Sequence, residues 1–123
     1  MKSLLINHTN HPYALWSQAQ KEYTSGHYRD VVDMAFPNID PVLTTTEVYQ
    51  MVCDYQHAIS TTYDGYDILI SGEMTYVYQF VKEAISKGVL CMCATTERRV
   101  SEQADGTTVR YFEFIKYRPY ETI

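Results

Sequence analysis

The sequence has 123 residues, 46% of them hydrophobic and 20% charged, with a formal net charge of −5. That length suits one domain spanning residues 1–123, and the composition excludes disordered and fibrous classes. An acidic total argues against wrapping long DNA or RNA, which rests on a basic surface. Apolar runs of only a few residues fall short of the roughly 18 that a membrane span needs. Leu4-Leu5-Ile6 is too short for a secretory core and no small-residue cleavage site follows it, so the expected setting is cytoplasmic. Cys53, Cys91 and Cys93 contain no CxxC pair. They read as small buried hydrophobes rather than as a disulfide framework or a zinc site.

Leu4-Leu5-Ile6 reads as a buried first strand, ending in the polar run Asn7-His8-Thr9-Asn10-His11-Pro12. A helix is predicted over Tyr13–Ser25, with Gly26 in the left-handed position after it. Tyr28–Phe36 reads as a second strand that stops at Pro37, and Pro37 to Pro41 as an extended loop. Thr44 and Glu47 open a long helix whose apolar face is Val48, Met51, Val52, Tyr55 and Ile59. Asp67–Ser71 reads as a third strand. Gly72-Glu73-Met74-Thr75 then leads into a helix burying Val77, Phe80, Val81, Ala84 and Ile85, closed by Lys87 and Gly88. Val89–Ala94 reads as a fourth strand. Arg99–Gln103 and Thr108–Tyr117 flank an Asp105-Gly106 turn as a hairpin, with Arg110, Phe112, Phe114 and Lys116 on one face of the second arm.

Strands alternating with helices predict an α/β domain: a Rossmann-like three-layer arrangement, mostly parallel, with a C-terminal antiparallel hairpin. In such a sheet the strand-to-helix loops gather at one end, where ligands bind. The loops after strands one, three and four carry the chain's unusual polar content. Asn7, Asn10, Gly72, Glu73, Thr75, Thr95 and Thr96 are therefore the candidate ligand contacts. A tight turn at Gly72 before a helix start offers amides to an anion. His8 and His11 are candidate general bases near neutral pH, and Arg98 and Arg99 candidate partners of a phosphate or of developing negative charge. No third ligand stands at a convincing spacing from the two histidines, so no metal is expected. The chain has neither GxGxxG nor a P-loop, and no cofactor is predicted. His27 and His57 read as structural and Trp16 as core.

Several stretches together resemble a group of small CRISPR-associated proteins. These are Asn7 to Pro12 with Trp16-Ser17 behind it, Phe36-Pro37 through Asp40-Pro41, Gly72 to Tyr76 with Gly88 and Ala94 to Arg98, and the ending Asp105-Gly106 with Phe112 to Tyr120. Such proteins accompany type III systems and are similar to stand-alone CARF sensor domains. The resemblance implies a homodimer that binds cyclic oligoadenylate, most simply cyclic tetra-adenylate, and linearises it as a ring nuclease. In that chemistry His8 or His11 would be the base and Arg98 or Arg99 the stabiliser of the phosphorane, with the Gly72–Thr75 turn gripping a phosphate. Two other readings share these residues: a module that binds the ring without cutting it, and a nucleoside hydrolase or transferase with Glu73 as nucleophile.

Overall fold

The computed structural model describes residues 3–123. Strands β1 (Leu4–His8), β2 (Asp30–Asp33), β3 (Tyr66–Ile70), β4 (Cys91–Glu102) and β5 (Thr108–Pro119) form one sheet in the order β2-β1-β3-β4-β5. The first four run parallel, and β5 is antiparallel to β4. Helices α1 (Gln18–Ser25), α2 (Thr45–Thr62) and α3 (Met74–Ser86) supply the cover. The molecule is thus a mixed α/β domain with a mostly parallel sheet and an antiparallel closing pair, as the alternating pattern predicts.

The parallel strands are apolar on both sides because both sides are packed. Ile6, Ile68, Ile70 and Cys91 join Val48, Val52 and Ile59 of α2 and Tyr76 and Phe80 of α3 in one core. Leu5, Leu69, Met92, Phe114 and Tyr117 face the other way, with Trp16, Tyr28 and Tyr23 of α1. The Thr44–Glu47 capping box begins α2 as predicted, each side chain answering the other's backbone N–H.

Three predicted boundaries and one predicted cap differ in the structure. β1 runs on through Asn7 and His8, because Asn7 lies in register with Asp33 on one side and Leu69 on the other, and His8 with Ile70 of β3. The helix predicted over Tyr13–Ser25 divides into a 3₁₀ turn, Tyr13–Leu15, and α1, because Ser17 caps α1 by accepting from the Gln20 N–H. Gly26 sits at φ −73° in the right-handed region, so it is not the left-handed cap expected. Tyr28–Phe36 contributes only Asp30–Asp33 as strand.

The largest change is at β4. It does not end at Ala94 but runs unbroken for twelve residues into the hairpin, so Thr95 to Arg99 is strand rather than a strand-to-helix loop. Each of these residues has a partner on β5. A register shift between Thr95 and Thr96 skips Ile115, pairing Thr95 with Lys116 and Thr96 with Phe114. This bulge turns Lys116 to the face opposite Phe114, against the simple alternation predicted. It also lets Phe114 and Tyr117, three apart in sequence, both reach the core beneath α1.

β2 and β3 flank β1 on opposite sides. The order in which successive strands are added to the sheet therefore reverses between β1 and β3, and a crevice opens at the carboxyl ends of those strands.

Candidate functional site

The crevice has a volume of about 520 Å³ and lies on the α1 side of the sheet. Thr9 and His11 enter it from the segment after β1, Ser71 from the end of β3, and Thr96, Phe112 and Phe114 from the hairpin. Leu15 and Trp16 form the wall at the start of α1. Its size falls in the usual range for small-molecule sites, about 300–1,000 Å³.

His11 is the exposed titratable group in this crevice, and its backbone is rigidly held. Its carbonyl accepts from Asn7 Nδ2 at 2.9 Å, Trp16 Nε1 at 2.9 Å and Thr9 Oγ1 at 3.3 Å. Its N–H donates to Thr9 Oγ1 at 3.1 Å. Asp33, at the end of β2, accepts from Asn7 Nδ2 at 2.8 Å and from the Tyr13 N–H, closing the loop on both sides. These bonds fix the backbone of the loop and leave the His11 imidazole exposed at the crevice.

His8 is elsewhere. It is 0% exposed, on the opposite face of β1, with its ring among Phe36, Tyr55, Tyr76 and Phe80. Nδ1 lies 2.6 Å from the Met34 carbonyl, so it must be the protonated nitrogen, and Nε2 accepts from the Tyr76 hydroxyl at 2.7 Å. Burial holds its pKa below the ordinary histidine value. Both nitrogens are committed and no solvent reaches them, so His8 is a neutral core histidine rather than a base serving the crevice.

Asn7 is also buried, and its amide is spent on His11, Asp33 and Thr9. It positions the loop and touches no ligand space. Trp16 is core, as expected, with its indole N–H turned to the loop.

The turn before α3 differs from its predicted role. Glu73 is the N-cap of α3: its carboxylate accepts from the Thr75 and Tyr76 N–H groups and from the Thr75 hydroxyl. These bonds hold its pKa below the usual carboxylate value. The protein's own carboxylate thus occupies the anion position at this helix start, and the Gly72–Thr75 turn is not open to a phosphate. The same bonds tie up both oxygens that a nucleophilic Glu73 would need free. Glu73 instead borders, with Asn10, Phe36 and Asn38, a separate polar depression of about 300 Å³.

Gly72 does permit a close approach, but to Phe36. Its φ is +155°, and a Cβ there would lie 2.5 Å from the Phe36 ring. Gly72→Ala combines an unfavourable backbone angle with overpacking and is expected to cost about 2–4 kcal/mol, read as a lowered urea midpoint at unchanged slope.

The two arginines lie on opposite faces of β4. Arg98 shares the face of Thr96 and stands opposite Phe112, continuing the crevice side of the sheet. Arg99 stands opposite Tyr111 on the other face, where it pairs with Glu113 at 2.7 Å and Glu97 at 3.1 Å. Those carboxylates keep Arg99 engaged away from the crevice. Thr95 lies on that far face too, its hydroxyl bracketing the bulge by donating to the Lys116 carbonyl and accepting the Lys116 N–H. Of the predicted site residues, then, His11 and Thr96 line the crevice and Arg98 extends its face. Asn10 and Glu73 border a neighbouring depression, and Asn7, His8, Gly72, Thr75, Thr95 and Arg99 serve the frame.

Thr9, Asp33 and Phe112 were not singled out in the sequence. Asp33 carries no signal beyond being polar, because its partners Asn7 and Tyr13 are distant in sequence, and Thr9 bonds only within its own loop, to Asn7 and His11. Phe112 carries one: an aromatic beside Arg110 on one face of the predicted hairpin arm. Among the described residues no helix is long and apolar enough to cross a membrane, and no three His, Cys, Asp or Glu side chains are grouped to hold a metal ion. No curated protein matches the chain. A family model does match, over residues 3–118, and the chain belongs to the uncharacterized protein MJ1673 family.

Proposed function

We propose that the protein is a ring nuclease of type III CRISPR defence, acting in the cytoplasm as a homodimer on a Rossmann-like, CARF-like frame. It binds cyclic oligoadenylate, most simply cyclic tetra-adenylate, and linearises it, so ending the signal. The observation that carries this reading is the exposed, backbone-pinned His11 in the crevice at the strand-order reversal. The sequence resemblance across the same loops supplies the ligand class.

Cleavage of a ribonucleotide ring needs no group beyond the ring itself and a base. The 2′-hydroxyl attacks the adjacent phosphorus as its proton passes to His11. The P–O5′ bond breaks as the 5′ oxygen takes a proton from water, and His11 returns its proton to solvent. The product is a linear strand ending in a 2′,3′-cyclic phosphate. Holding the hydroxyl in line supplies much of the rate, and a cation such as Arg98 favours the charge that develops on phosphorus. A crevice of about 520 Å³ holds only part of such a ring. A two-fold dimer presents two crevices to a symmetric ligand.

Incubating the purified protein with labelled cyclic tetra-adenylate, with and without a chelator, tests the reading. Linear product carrying a cyclic phosphate in both samples is expected. Intact ring retained on the protein would instead establish a binding module, and neither binding nor cleavage of rings of any size would overturn the proposal.

A further inference from the structure

The outer half of the β4–β5 hairpin carries two unlike faces. On the far face, Glu97, Arg99 and Glu113 satisfy one another. On the crevice face the cross-strand partners are Thr96 with Phe114, Arg98 with Phe112, and Val100 with Arg110. Alternate residues share a side, so this face is a ribbon with two arginines set diagonally beside an aromatic ring. Among the described residues neither Arg98 nor Arg110 has an ion-pair partner; the pairs are those of Arg99.

The two phenylalanines on this face have opposite fates. Phe114 is 9% exposed, packed edge-on against Tyr23 and Tyr117. Phe112 is 72% exposed, although it borders the crevice. Leu15, which also lines the crevice, is 68% exposed. Two large apolar side chains left in water along the lining of one cavity gain from a flat apolar ligand placed against them. Arg98 directly across from the ring and Arg110 two residues along its own strand suit the phosphate attached to such a ligand.

We propose that the crevice and the outer hairpin form one continuous binding surface for a short oligoadenylate. A base stacks on Phe112, and the neighbouring phosphodiester lies between Arg98 and Arg110. This rests on the reading above for the identity of the ligand, and it assigns Phe112 and Arg110 to its recognition. It also accounts for the length of β4: the strand runs beyond the helical layers to carry the second half of the site.

The test titrates the full chain with fluorescently labelled linear tetra-adenylate at several salt concentrations, with unlabelled cyclic tetra-adenylate as competitor. Phe112→Ala is expected to weaken binding about 5- to 150-fold, the range for losing one base-stacking platform, and Phe112→Tyr to restore it. Arg98→Ala and Arg110→Ala are each expected to weaken binding and to reduce the salt slope by about one. Tyr111→Ala removes an exposed aromatic from the opposite face of the same strand and is expected to bind like wild type. Equal binding by the wild type and the Phe112, Arg98 and Arg110 variants would overturn the ribbon and leave the ring reading standing. So would a loss in Tyr111→Ala matching that in Phe112→Ala. Phe112-dependent binding of the linear strand, with the ring neither bound nor cut, would overturn the ring reading and support the ribbon. No binding of either probe would overturn both.

Discussion

His8→Ala is expected to lose about 3–5 kcal/mol of folding stability, the range for truncating a large buried ring. That is a sizeable share of a total that for domains of this kind is about 5–15 kcal/mol. The loss has two parts. The vacated space lies among four aromatic rings that belong to both long helices and the β2-to-α2 connection, so it cannot collapse without moving several elements. The Met34 carbonyl and the Tyr76 hydroxyl are also left without the imidazole that bonds them in the interior. Equilibrium unfolding in urea measures the loss, and a midpoint within error of wild type would show that His8 does not tie the sheet to α3.

The same group sets a pH dependence. Burial lowers the folded-state pKa of His8 below its unfolded value of about 6.5. Below the unfolded value the unfolded chain binds the extra proton and the folded chain does not. Stability is therefore fully present above about pH 6.5 and is lost as the pH falls beneath it, levelling only below the folded pKa. His8→Gln removes this titration and is expected to flatten the stability profile between about pH 5 and 7. A profile with the wild-type slope would assign the dependence to other groups.

His11→Ala is expected to reduce ring cleavage by about 10²- to 10⁴-fold, the usual contribution of a positioned general base. Binding should change little, because the groups that hold the loop act on the His11 backbone rather than its ring. His8→Gln, measured at a pH where it is folded, should cut at the wild-type rate. The contrast separates the two histidines by role: one holds the fold and the other works on the substrate. Single-turnover cleavage with labelled ring measures it. Normal cleavage by His11→Ala would move the base elsewhere in the crevice.

The residues that misled sequence reasoning did so for one reason. Asn7, His8 and Glu73 are polar side chains beside a strand end or helix start, and polarity there reads as ligand contact. Each is instead satisfied internally: Asn7 by Asp33 and the His11 carbonyl, His8 by Met34 and Tyr76, Glu73 by the first turn of α3. Only the last partnership is local enough to read from spacing. Asn7–Asp33, His8–Met34 and His8–Tyr76 link distant parts of the chain, and the pairing that turns Thr95–Arg99 from a loop into the middle of β4 depends on the register of β5.

What the sequence determined by itself was whatever depends on near neighbours. This includes the alternation of strands and helices, the Thr44–Glu47 cap, the left-handed Gly88 after α3, and the end of the sheet at which the polar segments meet. Tertiary structure alone decided which histidine reaches the crevice, which arginine shares its face, and that Phe112 stays exposed while Phe114 is covered. Those outcomes turn on strand register and on one bulged residue in β5. Shifting register by a single position exchanges the faces of a strand without altering any local preference.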